Sequence, residues 1–243
     1  METVIVKIHC FNKIPSMDGG LYMIFSNLNI MNILLSLPAV FLAFSFHEFA
    51  HAYAAYKLGD PTPKMQGRLT LDPMAHVDWI GLIMFTVFGF GWAKPVQVNP
   101  SNFRNRKKGD ILVSLAGPIS NLILAIIAFV ILEILKSTLP GISFAHIINR
   151  NGVLYLIIDK IVWLNIVFAL LNLVPIPPFD GYRVIKALFF RRNVNFFWQL
   201  ERYSIIILFA FILLGVFNYI VGIPALYIYN RLKSLAFLLR ILI

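Results

Sequence analysis

The chain has 243 residues, of which 59% are hydrophobic and 13% are charged, and its mean hydropathy is +0.80. This composition indicates an integral membrane protein and excludes a soluble globular enzyme. The length allows one bundle of about four to six transmembrane helices and no sizeable soluble domain. The net charge of +10 comes from basic residues between apolar runs, a pattern typical of cytoplasmic loops rather than of a nucleic-acid-binding protein. The single cysteine excludes an internal disulfide and a cysteine-based zinc site.

The first predicted span covers residues 31–57 and follows an N-terminal extension, residues 1–30. It contains the pattern H-E-x-x-H at His47, Glu48 and His51, which places two imidazoles one helical turn apart on one face. Two such histidines can share one Zn²⁺, and the glutamate between them can reach the water on the metal. The alternative is a chance match with two core histidines. An unpaired glutamate in hydrocarbon is costly, however, and this cost favours a metal site.

The segment after the first span, residues 57–78, is predicted to be a polar loop because three prolines exclude a long helix. His76 and Asp78 lie near its end. They are either partners behind the metal ligands or, the interpretation we favour, solvated loop residues.

A re-entrant segment is predicted next, between the first two core helices. Residues 79–93 are uncharged but number only 15, which is short for a crossing. Residues 93–100 follow, and their pattern predicts a short extended strand closed by a turn. Val96 and Val98 lie within this strand.

The next predicted span covers residues 111–132, which are 22 uncharged residues. Gly117-Pro118 and Asn121 lie in its first half. A small residue permits close approach of two helices, and an asparagine can hydrogen-bond between helices. Packing and a role at the site are equal alternatives for Asn121.

Another span is predicted over residues 161–174, and it ends in a run that contains Asn172 and three prolines before Asp180. Prolines cannot continue a helix, so the chain should unwind where Asp180 appears. Asp180 either pairs with Arg183 or serves as a third zinc ligand. We favour the ligand, because such a site needs three protein ligands and one open position.

The C-terminal part is predicted to hold a basic cytoplasmic segment, residues 183–202, and one further crossing that ends at about residue 222. Residues 223–243 are predicted to form an amphipathic, membrane-associated tail. The membrane-embedded core would then cover residues 31–222.

A depth argument connects these predictions. His47 and His51 lie near the C-terminal end of their span, and Asp180 follows the C-terminal end of its own. The two helices must therefore cross in the same direction to share a metal, with an odd number of crossings between them. The span at 111–132 supplies one, so residues 79–93 should enter the membrane and return. The cytoplasmic loops would then be 57–78, 94–108 and 183–202, with three, five and five Lys and Arg residues.

These motifs together resemble the site-2 protease family of intramembrane zinc metalloproteases. The residues that carry the resemblance are His47-Glu48-x-x-His51, Gly117-Pro118-x-x-Asn121 and Asn172…Pro175…Asp180-Gly181. It covers about residues 31–192. It implies cleavage of membrane-spanning proteins within or near a transmembrane helix, often after an earlier cut elsewhere. Many members carry a PDZ or CBS domain, and this chain resembles a compact member without either.

The resemblance agrees with the chemistry derived above: Zn²⁺ is bound by His47, His51 and Asp180, and Glu48 is the catalytic base. Residues 93–100 are similar to a membrane-associated β-loop of the family that holds substrate in extended form, and Asn172 matches a family position implicated in substrate binding. We predict that the substrate is contacted by Asn172, Asn121, Val96 and Val98.

The protein is expected to be a multi-pass protein of the cell membrane with its active site toward the cytoplasm, acting on membrane-spanning proteins in the bilayer and not on nucleic acid. Two alternatives are a metal-ion transporter and a catalytically inactive membrane scaffold. A transporter should place ionisable residues along a path through several spans, whereas here they converge at one depth. A scaffold would not need Glu48.

Overall fold

The computed structural model describes residues 30–88, 91–138, 151–189 and 193–242. Three long helices dominate these ranges: α1 (Ile30–Lys57), α5 (Arg106–Thr138) and α6 (Asn151–Asn172). Between α1 and α5 lie α2 (Thr62–Met65), α3 (Pro73–His76), α4 (Trp79–Phe88) and a 3₁₀ turn (Pro100–Asn102). After α6 come α7 (Asp180–Phe189), α8 (Val194–Arg202), α9 (Ser204–Leu213), a π turn (Asn218–Gly222) and α10 (Ile223–Leu242).

The helices α1, α5 and α6 are each long and apolar enough to cross a membrane, and the pair α8 and α9, which meet at 65°, is a fourth candidate. One face of α5 exposes large aliphatic side chains, among them Ile119, Ile123, Ile126 and Ile127. Such a face suits lipid, and a helix satisfies its own backbone hydrogen bonds where water is absent. The chain is an all-α polytopic membrane protein, as predicted, and its described residues hold three or four candidate spans, against the four to six expected.

The interior of the bundle lies where α1, α5 and α6 pack on one another. Ala39 of α1 and Ala125 of α5 are almost completely buried, and such small side chains let helix backbones approach closely. Leu132, Val162 and Ile166 fill the remaining space and are also buried. This packing brings the end of α1 that carries the histidines against the first half of α5.

The chain segment between α3 and α5 begins and ends at the same place in the structure. Val77 and Ala93 form an isolated antiparallel bridge, and the Lys94 N–H donates to the His76 carbonyl at 2.8 Å. A Cβ added to Gly81 would lie 2.1 Å from the Trp92 carbonyl oxygen, so this close approach requires glycine. The two ends therefore lie side by side, which confirms a re-entrant segment.

The strand predicted over residues 93–100 is not formed within the part of the chain that the structure describes. The stretch is extended, but only Ala93 has a bridge partner. The Lys94 N–H donates to a backbone carbonyl, and two further N–H groups donate to carboxylates: Val96 to Glu48 and Asn99 to Asp60. Side chains, rather than a second strand, thus hold this segment against α1.

Asp180 is brought to the end of α1 that carries the histidines by the turn between α6 and α7. This turn contains a cis peptide bond between Pro177 and Pro178. A Cβ on Gly181 would lie 2.3 Å from the Leu173 carbonyl oxygen, so α7 begins tightly against the end of α6. Among the described residues between α1 and α6, α5 is the one helix of membrane length, as the depth argument requires.

The C-terminal part differs from the sequence prediction. A crossing that continues to residue 222 is interrupted, because α9 ends at Leu213 and Gly215 adopts a φ of +70°. The following helix, α10, packs along α6: Ala225 is fully buried, and the Tyr229 hydroxyl donates to the Asp159 carboxylate at 2.6 Å. The segment after residue 222 thus packs on the bundle. Its assignment as a separate, membrane-associated tail from residue 223 stays a prediction. Residues 1–29 of the predicted N-terminal extension lie outside the described residues.

Candidate metal centre

Three ligand atoms from two separate parts of the chain meet inside the bundle. The Nε2 atoms of His47 and His51 are 3.0 Å apart, and each lies 3.1 Å from Asp180 Oδ2. All three residues are buried, and they form a group that can hold a metal ion within the described part of the chain. Four tetrahedral zinc ligands at about 2.0 Å from the metal are roughly 3.3 Å from one another. The donor set therefore fits zinc, with a fourth position open.

Each histidine is held by its other ring nitrogen. His51 Nδ1 donates to the Val113 carbonyl at 2.7 Å, and His47 Nδ1 donates to Asn121 Oδ1 at 2.6 Å. A proton on Nδ1 leaves Nε2 with a lone pair, which is the state that binds a metal. Both acceptors belong to α5, so the packing of α5 on α1 fixes the tautomer and the orientation of both rings.

A buried pair of amides supports His47 from behind. The Asn121 Nδ2 group donates to the Ala43 carbonyl at 3.1 Å and to Asn165 Oδ1 at 2.7 Å, and Asn165 Nδ2 donates to the Ile161 carbonyl at 2.8 Å. Both asparagines are fully buried. The geometry thus places Asn121 behind His47, on the side of the ring away from the candidate metal group. The role of Asn121 in substrate binding stays a prediction, to which these bonds lend no support.

Gly117 lets α5 reach the ligands. A Cβ at this position would lie 2.5 Å from His51 Nε2 and 2.7 Å from His47 Nε2. No side chain larger than hydrogen fits there without moving an imidazole. In the sequence Gly117-Pro118-x-x-Asn121, Gly117 thus leaves room for both imidazole rings, and Asn121, one helical turn later, holds the ring of His47.

Glu48 lies on the neighbouring face of α1 and is covered by residues 94–99, which we call the strap. Its Oε2 atom accepts a hydrogen bond from the Val96 N–H at 2.8 Å. Both Glu48 and Val96 are buried. The carboxylate is therefore held next to the ligands, and it is not itself one of them.

The other predicted substrate residues take varied positions. Val98 packs against a small apolar cluster of Ala55, Phe103 and Val113. The Asn172 Nδ2 group donates to the Phe168 carbonyl of its own helix at 3.0 Å. Substrate contacts at Val96, Val98 and Asn172 stay predictions.

The interpretation of His76 as a solvated residue is wrong. His76 is fully buried, and its Nε2 atom lies 2.8 Å from the Thr70 carbonyl oxygen. It is not within the metal-ligand group. Asp78, its neighbour, accepts a hydrogen bond from the Gly81 N–H at 2.9 Å and so caps α4. The proline-rich loop folds back on α1, and this packing buries an imidazole that a polar loop would leave in water.

Two polar residues that matter for the site were not singled out from the sequence: Asn165 and Asp60. Both are fully buried. A signal for Asn165 existed, because it is a polar residue within the uncharged run 161–174 and lies seven positions before Asn172, about two helical turns along the same face. For Asp60, the loop sequence carried no comparable signal.

Comparison with known proteins identifies the family. The chain is 45% identical over 151 residues to "Putative zinc metalloprotease YwhC" of Bacillus subtilis, and the match covers 60% of this chain and 65% of that protein. Two proteins with the same descriptive name also match. Rip2 of Mycolicibacterium smegmatis is 28% identical over 150 residues, with 60% of this chain and 53% of that protein covered. MJ0611 of Methanocaldococcus jannaschii is 31% identical over 164 residues, with 67% of this chain and 74% of that protein covered.

The chain belongs to this family of zinc metalloproteases. Zinc is accordingly its cofactor, and His47, His51 and Asp180 form the group that can bind it. The match spans 65% of YwhC and 53% of Rip2. No family model and no solved structure shows significant similarity to the chain.

Proposed function

We propose that this chain is an intramembrane zinc endopeptidase of the site-2 protease type, which hydrolyses peptide bonds within or near the transmembrane segments of membrane proteins. The observation that carries the proposal is the meeting of His47, His51 and Asp180 inside a bundle of apolar helices, with the Glu48 carboxylate beside them. The substrate must therefore reach the site from the bilayer or from its surface.

The residues divide the chemistry between them. When bound by His47, His51 and Asp180, zinc supplies Lewis acidity and lowers the pKa of water at its open position. Glu48 accepts a proton from the attacking water and returns it to the leaving amine. The Val96 N–H fixes Glu48 Oε2, which leaves Oε1 to receive that proton.

The substrate has to be extended where it is cut, because a helix hides its carbonyl groups in hydrogen bonds. In the strap, the N–H groups of Lys94 and Val96 donate inward, to His76 and Glu48. Backbone groups alternate in direction along an extended chain, so we expect the Gln97 N–H, next to the inward Val96 N–H, to lie on the outer edge. We propose that the substrate pairs with this edge as an added strand.

The proposed location is the cell membrane, with the site toward the cytoplasm. Its support is the basic loops near the histidine end of α1 and the Asp180 end of α6, which carry most of the positive charge of the chain. A transporter or an inactive scaffold is not favoured. The ionisable ligands converge at one depth rather than along a path, and Glu48 is placed for proton transfer without being a metal ligand.

Cleavage by wild type and by Glu48→Gln tests the proposal. The substrates are single-span test proteins reconstituted in lipid vesicles, with a helix-destabilising Gly-Pro pair in the span. Wild type with zinc should cleave them, and a chelator should abolish the activity. Glu48→Gln should keep one zinc per chain, since the ligands are unchanged, and should lose at least about 10²-fold in rate. Zinc loss in this variant, or cleavage at the wild-type rate, would overturn the assignment of Glu48.

A further inference from the structure

Asp60 follows the end of α1 and is fully buried. Its carboxylate accepts four hydrogen bonds. Two are local, from the Thr62 N–H at 3.1 Å and the Thr62 hydroxyl at 2.6 Å. Two come from a distant part of the chain, from the Asn99 N–H at 2.7 Å and from Asn102 Nδ2 at 2.7 Å. Asp60 thus joins the end of α1 to the end of the strap.

The strap is fixed at both ends. At one end the Lys94 N–H donates to the His76 carbonyl, beside the bridge of Val77 with Ala93. At the other end Asn99 is bound by Asp60. Between these points only a few residues remain, and the Val96 N–H that donates to Glu48 is one of them.

Asp60, which anchors the strap, is attached to the same helix that carries the catalytic base Glu48. The Asp60 N–H donates to the Ala55 carbonyl of α1 at 3.0 Å, so the carboxylate is tied to the helix that carries Glu48. Gly59 makes the turn possible with a φ of +108°, and a Cβ there would lie 3.1 Å from the Asn102 carbonyl oxygen. The distance between Glu48 and Asp60, the two carboxylates that bind the strap, is therefore fixed.

We propose that Asp60 is a positioning residue for the base: by binding Asn99 and Asn102 it holds the strap so that the Val96 N–H stays on Glu48 Oε2. The consequence for catalysis rests on the proposed protease function, whereas the anchoring itself does not.

The ionisation of Asp60 agrees with this role. Burial of the carboxyl group opposes ionisation, but the hydrogen bonds from Thr62, Asn102 and Asn99 outweigh it and lower the pKa of Asp60 below its usual value. The charged carboxylate can accept all four bonds, and bonds to a charged acceptor are the stronger kind. An asparagine in its place has one acceptor oxygen and must turn an N–H₂ group toward a donor.

Asp72 supplies a matched control. It also lies in the loop after α1, but within the described part of the chain its side chain accepts only from the Met74 N–H, two residues away, at 2.9 Å. The change Asp72→Asn therefore alters a local cap by the same chemistry and does not touch the strap.

The experiment compares zinc-loaded wild type, Asp60→Asn and Asp72→Asn by zinc content, hydrogen–deuterium exchange of residues 94–99, and cleavage kinetics. We expect Asp60→Asn to keep its zinc, because the ligands are held by Val113 and Asn121. Exchange of the strap amides should accelerate at least about tenfold, and kcat should fall by a similar factor with little change in KM. Asp72→Asn should match wild type in all three measurements.

Unchanged exchange in Asp60→Asn would overturn the anchoring, and faster exchange with unchanged kcat would overturn the role in positioning the base. If Asp60→Asn fails to fold, Asn102→Ala removes one of the two distant bonds and must shift exchange and kcat in the same direction. If wild type cleaves nothing, the proposed function fails, while the exchange comparison still decides whether Asp60 holds Val96 on Glu48.

Discussion

Asn121 is the side chain on which the orientation of His47 depends. It accepts from His47 Nδ1 and donates to Asn165, so Asn121→Ala removes the partner of a metal ligand and leaves a buried amide unsatisfied. We expect zinc affinity to fall about 10–100-fold, the usual effect of losing such a partner. Competition with a chromogenic chelator measures it. Asn172→Ala is the control, because among the described residues the Asn172 side chain bonds to its own helix and not to the metal group; wild-type affinity in Asn121→Ala would contradict the role.

Gly117 is the second residue at which a small change should have a large effect. The Cβ of Gly117→Ala would lie 2.5 Å from His51 Nε2, so the ring or α5 must move. We expect zinc affinity to fall by at least about tenfold, measured in the same competition assay. Ala116→Ser adds one atom to the neighbouring residue, which lines an apolar groove together with Phe46 and Phe49 of α1, and should bind zinc normally. Normal zinc binding by both variants would mean that α5 can shift away from the imidazole rings at little cost in free energy.

The group of His47, His51 and Asp180 could be predicted from the sequence to come together, because the chemistry of these residues is explicit. His47 and His51 are one turn apart, and Asp180 follows a proline-rich break at the matching end of another span. Asn165 and His76 could not be placed in the same way. A buried asparagine has many possible partners, and whether a loop histidine is buried depends on how the loop packs on α1. Those partners are set by tertiary contacts that no short pattern contains.

At the scale of elements, the strap offers a test of substrate binding. Lys94 and Val96 donate their N–H groups inward, so we expect the N–H of Gln97, between Val96 and Val98, to face outward, and a proline at Gln97 removes this donor. We expect Gln97→Pro to raise KM at least about tenfold with zinc retained. Gln97→Ala keeps the N–H and loses only the side-chain bond from Gln66, so it should be mild. Equal loss in both variants would indicate that side-chain packing, and not strand pairing, binds the substrate.

The predicted elements were correct where length or depth constrained them. The 15-residue stretch 79–93 is too short to cross, and the bridge between Val77 and Ala93 closes it. The prediction of a strand at 93–100 was wrong, because the N–H groups of Val96 and Asn99 donate to carboxylates on α1 and in the loop after it, and not to a neighbouring strand. The crossing was predicted to end at about residue 222, but the break lies at Gly215: the long uncharged run contains both Gly215 and Gly222, and only packing decides which one takes a positive φ.

At the scale of the whole molecule, the structure places the histidine end of α1, both ends of the re-entrant segment and Asp180 at one end of the bundle. The basic loops predict that this end faces the cytoplasm. With Cys10 changed to serine, single cysteines at Lys64, Ser101 and Ser143 can be tested with a membrane-impermeant thiol reagent applied from outside. Only the Ser143 position, which lies outside the described residues, should be labelled. Labelling at Lys64 or Ser101 would invert the proposed orientation.

The two histidines differ in what a mutation can take from them. His51 is held by the main-chain oxygen of Val113, which every amino acid supplies, whereas His47 is held by one particular amide. Replacement of Val113 by another helix-compatible side chain leaves the support of His51 in place as long as α5 keeps its position. As substitutions accumulate in this sequence during evolution, the support of His51 is therefore retained by the main chain, whereas the support of His47 depends on Asn121 being kept.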